Sequence, residues 1–163
     1  MNCFFDSSAL VKRYVAEAGR GTVNALVEQV QTGVVSCLAY AEVLAALYRR
    51  RASFPVADAE FNAGIAMFRD DWRGFTVVEM NGEVLAMVDR VIEIHRLRGA
   101  DSIHLATALW LRKVALADLV LVAADRELLV AARKEGLATV DPLELAPADV
   151  EPLIAGRQPK RGA

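Results

Sequence analysis

The 163-residue chain has little sulfur and little imidazole, with two cysteines and two histidines in all. Cys3 and Cys37 fit neither a CxxC spacing nor a disulfide framework, and no His or Cys cluster at zinc spacing is present. Both cysteines fall in apolar, strand-like runs, which marks them as buried thiols in a reducing compartment. No uncharged apolar stretch approaches the ~18 residues that a membrane span needs. The first apolar run is broken at once by Asp6 and has no basic segment before it, so no membrane association and a cytoplasmic address are expected. An excess of positive charge is also missing. The formal net charge of -2 argues against a surface that is nucleic-acid footprint throughout and leaves room only for local basic patches.

What the chain does have is apolar content. Hydrophobic residues make up 55% of it, and the mean hydropathy of +0.28 is high for a protein of this size. The length suits one domain with a real core. The surplus suggests apolar surface covered by a partner, either a second copy in a homodimer or a tightly bound second protein.

Asn2 to Phe5 is a short apolar run that gives way at Asp6-Ser7-Ser8 to a helical pattern carrying Leu10, Val11, Tyr14 and Val15. A helix over Thr22 to Val30, a strand at Val34 to Cys37 and a long helix from Ala39 to Arg51 repeat that alternation. Pro55 breaks the chain, and a helix from Val56 to Trp72 leads through Gly74 to a short strand at Phe75 to Val78. Helices over Gly82 to Leu97 and Ser102 to Lys113 are divided by Gly99. Leu119 to Val122 is the strongest strand, followed by a helix to Lys134, Gly136 at its end and a closing strand at Ala138 to Val140. This is the pattern of an α/β domain in three layers, helix-rich, with a mainly parallel central sheet flanked by helices. The domain is expected over residues 1–145, and the proline- and glycine-containing segment 146–163 reads as a loosely held tail.

In open α/β sheets ligands gather at the carboxyl ends of the strands. Asp6 follows the first strand, Glu42 lies about one turn into the helix after the second, Asp125 follows the strongest strand, and Asp101 begins the helix before it. Glu42 is the only charged residue between Val34 and Tyr48, and Asp101 the only one between Arg98 and Arg112. Carboxylates in such settings are partly buried, and several that converge repel one another unless protons or a cation intervene. Oxygen ligands without histidine or cysteine favour Mg²⁺ or Mn²⁺, the ions that activate water toward phosphodiesters. Helix capping is the structural alternative for Asp6, Asp101 and Asp125, none of which has Glu or Gln three positions on to complete a capping box. Glu42, inside a helix, has no capping role.

Phe5-Asp6-Ser7-Ser8-Ala9-Leu10-Val11-Lys12-Arg13-Tyr14, Ala41-Glu42-Val43, Ala100-Asp101-Ser102-Ile103-His104-Leu105-Ala106-Thr107-Ala108 and Ala124-Asp125-Arg126 together resemble a PIN domain, and more narrowly a VapC-type toxin of a type II toxin-antitoxin pair. The resemblance runs in order over about residues 1–145. It implies a Mg²⁺- or Mn²⁺-dependent endoribonuclease, usually dimeric, held inactive by an antitoxin near the acidic site. Matched residue by residue, Asp6, Glu42, Asp101 and Asp125 take the catalytic positions. Asp6 and Asp101 are the expected metal ligands, Glu42 assists directly or through water, and Ser8 supplies a supporting hydroxyl. Many members carry Thr just before the last aspartate, whereas this chain has Ala123 and Ala124, which leaves the support of Asp125 open.

His104 stands three positions after Asp101 on the same side of the helix, yet a packed helix residue is the simpler reading. Arg49-Arg50-Arg51 end a helix, where positive charge is favourable in any case. Lys12 and Arg13 suit either a phosphate backbone or a solvated face, and Trp72 and Trp110 read as core or interface. Two other functions compete. An acidic-site phosphatase of the dehalogenase type wants a second Asp where Ser8 stands, and a receiver domain wants paired acids and a late Lys; neither pattern is present. A PIN-fold binding module without nuclease activity is opposed by the four intact acids.

Overall fold

The computed structural model describes residues 1–156. Five parallel strands alternate with helices in chain order: β1 (Asn2–Phe5), α1 (Ser7–Leu10), a 3-10 turn (Val11–Tyr14), α2 (Arg20–Gln29), β2 (Thr32–Ser36), α3 (Leu38–Ser53), α4 (Asp58–Gly74) and β3 (Thr76–Val78). Then follow α5 (Gly82–His95), α6 (Gly99–Val114), β4 (Leu119–Val122), α7 (Arg126–Lys134), β5 (Ala138–Val140), a 3-10 turn (Pro147–Asp149) and α8 (Val150–Ile154). The sheet order is β3-β2-β1-β4-β5. β1 lies in the middle, with Asn2 opposite Thr32 on one side and Leu119 on the other. The order reverses at β1, so a crevice opens beyond the carboxyl ends of β1, β2 and β4.

Alternation along the strands divides the interior into two cores. Phe4, Val34 and Leu121 face Leu105, Leu109 and Leu128 of α6 and α7. Phe5, Val35 and Val122 face the other way, toward Leu10, Val43 and Phe68 of α1, α3 and α4. Trp72 joins the second core through Tyr40 and Phe68, at ring separations of 5.0 and 5.7 Å. The indole N–H of Trp110 donates to Glu83 at 2.7 Å, which pins α6 to α5. Both tryptophans are thus accounted for by packing.

Three expectations are corrected. The segment after residue 145 is not loose as far as it is described. Thr22 Oγ1 donates to the Leu145 carbonyl at 2.6 Å, Val150 is fully buried, and a Cβ on Gly21 would stand 2.9 Å from Pro147. The apolar pair Val150 and Leu153, on one side of a short helix, was too brief a signal to register as periodicity; the rest of the expected tail, residues 157–163, lies outside the described residues. Cys3 is buried, with its thiol pushed up to about 12 by that burial, but Cys37 is only half-buried because it occupies the turn leading into α3. Finally, α6 begins at Gly99, so Asp101 lies within its first turn and Arg98 holds the cap position. No helix among the described residues is long and apolar enough to cross a membrane.

Candidate active site

Asp6 leaves β1 directly into the turn before α1. Its backbone N–H donates to the Val122 carbonyl at 2.9 Å, which fastens the end of β1 to the end of β4. As the cap of α1 it accepts on Oδ2 both the Ser8 backbone N–H, at 2.9 Å, and the Ser8 hydroxyl. Its other oxygen, Oδ1, is buried and has no hydrogen-bond partner. Capping therefore accounts for one oxygen of Asp6 and leaves the second unexplained.

The Ser8 hydroxyl also accepts the Ala124 backbone N–H at 2.9 Å. The tie runs through the main chain just before Asp125, which any residue at position 124 but proline supplies. Asp125 caps α7, accepting the Leu128 N–H on Oδ1 at 3.0 Å.

Asp101 projects from the first turn of α6 with its side chain 21% exposed. Burial raises its pKa most, and the charges of Asp125 and Asp6 raise it further, against Arg98 and His104. The three aspartates therefore act on one another electrostatically, Asp6 and Asp125 each disfavouring the charge of Asp101.

Sequence reasoning set His104 aside, and the structure places it at the centre. It is wholly buried, and its Nε2 donates to Glu42 Oε2 at 2.6 Å and lies 3.6 Å from Asp6 Oδ1. The ring meets Phe4 edge-on, with centroids 6.2 Å apart, and Nδ1 is buried without a partner. Burial works against the imidazolium, but the hydrogen bond to Glu42 and the charges of Asp6, Glu42 and Asp101 outweigh it and raise the pKa. Burial raises the pKa of Glu42 in turn, but the hydrogen bond and charge of His104, a hydrogen bond from Ser7 and the charge of Arg49 together outweigh it, and the carboxyl sits below its usual range. The sequence signal was the i, i+3 spacing from Asp101 on an otherwise apolar helix.

Among the described residues, no three His, Cys, Asp or Glu side chains form a ready-made metal cage. Mg²⁺ does not need one, since it is held by one or two carboxylates with waters and substrate phosphates completing the shell. Asp6 Oδ1, buried without a hydrogen bond, and the mutually repelling aspartates fit such an ion.

Fold and site together define a PIN-type domain: a parallel sheet with carboxylates collected where the strand order reverses. No family model matches the chain. It is 32% identical to Ribonuclease VapC45 of Mycobacterium tuberculosis (strain CDC 1551 / Oshkosh) over 149 residues, 91% of this chain and 97% of the relative. The chain therefore belongs to the VapC family. Its fold is similar to that of PAE2754 from Pyrobaculum aerophilum, with a TM-score of 0.64 at 20% identity over 93% of this chain and 97% of that one. A toxin-antitoxin complex from Klebsiella pneumoniae contains a chain with a TM-score of 0.62 at 17% identity, covering 88% of this chain and 100% of its own.

Proposed function

We propose that the protein is a Mg²⁺- or Mn²⁺-dependent endoribonuclease that acts in the cytoplasm as the toxin of a toxin-antitoxin pair, with Asp6, Glu42, Asp101 and Asp125 as its catalytic residues. The observation that carries the site assignment is Asp6 Oδ1, a buried carboxylate oxygen without a hydrogen bond where β1 meets β4, its nearest cationic neighbour being His104 Nε2 at 3.6 Å. Asp6 and Asp101 would hold the ion, with Glu42 and Asp125 beside them. When bound, it would supply Lewis-acid activation of water and charge neutralisation at the phosphate.

The remaining work falls to the chain. Ser8 fixes the Asp6 carboxylate and the backbone before Asp125 with one hydroxyl. His104 holds Glu42 in one orientation, so the carboxylate is pre-positioned when substrate arrives. Asp101, partly exposed and repelled by Asp6 and Asp125, would gain from a cation beside it. Hydrolysis of an internal phosphodiester would leave a 5′-phosphate.

The Klebsiella neighbour belongs to a toxin-antitoxin complex, and VapC relatives are named ribonucleases. Exposed Tyr48 and Phe54 near one end of the helical layer, and Leu85 and Ile94 on α5, supply apolar surface for an antitoxin and for a second copy. The test is incubation of partner-free protein with RNA in Mg²⁺, Mn²⁺ or EDTA. Internal cleavage that EDTA abolishes and either ion restores is the expected result; cleavage indifferent to EDTA would overturn the metal assignment.

A further inference from the structure

Five cations, Lys12, Arg13 and Arg49 to Arg51, stand near the first two catalytic motifs in sequence, and the structure separates one of these five from the rest. Lys12 Nζ is 3.0 Å from Glu17. Arg13 is buried, with Nε 2.7 Å from Asp71 and Nη1 3.3 Å from Glu28. Arg50 reaches Glu17 at 3.6 Å and lies 5.4 Å over the Phe54 ring. Arg51 pairs with Asp58 at 2.8 Å and lies 4.5 Å over the Phe61 ring. Arg49 is exposed and forms no ion pair among the described residues.

Its position gives that freedom a use. Arg49 lines an open groove of about 480 Å³ together with Ser7, Ser8, Glu42, Ala45 and Ala46. Glu42 and Arg49 are seven residues apart on α3, two turns along one face, or about 10 Å of helix axis. Between them α3 presents only alanines to the groove, so nothing longer than a methyl rises from that helix between the carboxylate and the guanidinium. No aromatic ring lines the groove on which a base could stack.

We propose that this groove carries the RNA backbone away from the cleaved bond, with the Arg49 guanidinium gripping a phosphate neighbouring the scissile one. The inference rests on the acidic-site reading above. A floor of methyl groups admits the sugar-phosphate chain, and a guanidinium matches phosphate geometry with two parallel hydrogen bonds. Such a contact positions the strand without reading its sequence. A carboxylate at one end and a cation at the other also give the groove a polarity, which keeps phosphates off Glu42 until a metal ion is in place.

The test measures binding in Mg²⁺ of a fluorescent single-stranded RNA to the Asp101→Asn protein across monovalent salt concentrations. Adding Arg49→Gln is expected to weaken binding about tenfold, the loss of a charge-assisted hydrogen bond. It should also flatten the slope of log affinity against log salt by about 0.7, one phosphate contact of a single strand. Arg49→Lys should restore the slope, and Arg51→Gln, which removes the same charge, should leave affinity and slope unchanged. Equal affinity and slope with and without Arg49→Gln, or an equal loss from Arg51→Gln, would overturn the proposal. Residual cleavage by Asp101→Asn would instead count against the acidic-site reading, so the two can fail separately.

Discussion

At the scale of single residues, the site is built from side chains that each do two things. Ser8 binds a carboxylate and a backbone N–H, and His104 joins Glu42 to the neighbourhood of Asp6. If His104 acts by orienting Glu42, the donor matters more than the ring. His104→Gln, whose amide reaches where Nε2 was, should keep kcat within about threefold of wild type, while His104→Leu should lower kcat by about 10²-fold with KM little changed. Steady-state kinetics on one RNA checks this; equal losses in both variants would reduce His104 to packing. The four acids stand out in sequence as candidates because each ends or interrupts an apolar run. His104 was not, because its partner Glu42 is 62 positions away and nothing in local spacing reports that contact.

At the scale of elements, polar ties fix how the helices sit around the sheet. Arg13 joins the turn after α1 to α4 through Asp71 and to α2 through Asn24 and Glu28. Removing it strands the largely buried Asp71, so Arg13→Ala should cost about 3 kcal/mol in urea denaturation. Sequence offered Arg13 for phosphate; burial and Asp71 have taken it instead. Val150→Asp, which puts a carboxylate where α8 is sealed against the core, should cost about 2 kcal/mol in the same measurement. No change would mean that α8 adds nothing to the domain.

A second tie gives a pH signature. His95 Nε2 and Arg90 bind Glu135 at 2.8 and 3.0 Å, linking α5 to the end of α7. Burial works the other way, but these partners together lower the Glu135 pKa. Between that lowered value and the unfolded value, about 4.3, the unfolded chain binds more protons, so stability rises with pH. The contribution is complete above the unfolded value and is lost as pH falls through the folded one. His95→Leu should flatten this acid slope in denaturation profiles while leaving cleavage intact. An unchanged slope would remove the tie from the account.

At the scale of the whole molecule, alternation of short apolar runs and helical patterns was enough to indicate a parallel sheet between helices. Strand order was not legible. β1 pairs with β2 and with β4, whose partner residues Thr32 and Leu119 lie at very different distances along the chain, and periodicity reports which face a residue takes, never which strand lies beside it. The high apolar content is only partly spent on the two cores, since Leu85, Ile92 and Ile94 of α5 and Val114 of α6 remain exposed. Light scattering after gel filtration should give twice the chain mass for partner-free protein, and a single-chain mass at micromolar concentration would remove the second copy.

The central claim is that the carboxylates at the strand ends form one hydrolytic site for RNA. Its most direct measurement is cleavage of total cellular RNA in Mg²⁺ by wild type and by Asp101→Asn, purified side by side with melting temperatures recorded for both. Asp101→Asn should melt no lower than wild type, since it relieves repulsion from Asp6 and Asp125, and should cut at least about 10²-fold more slowly. Wild-type cleavage by the folded variant would contradict the account.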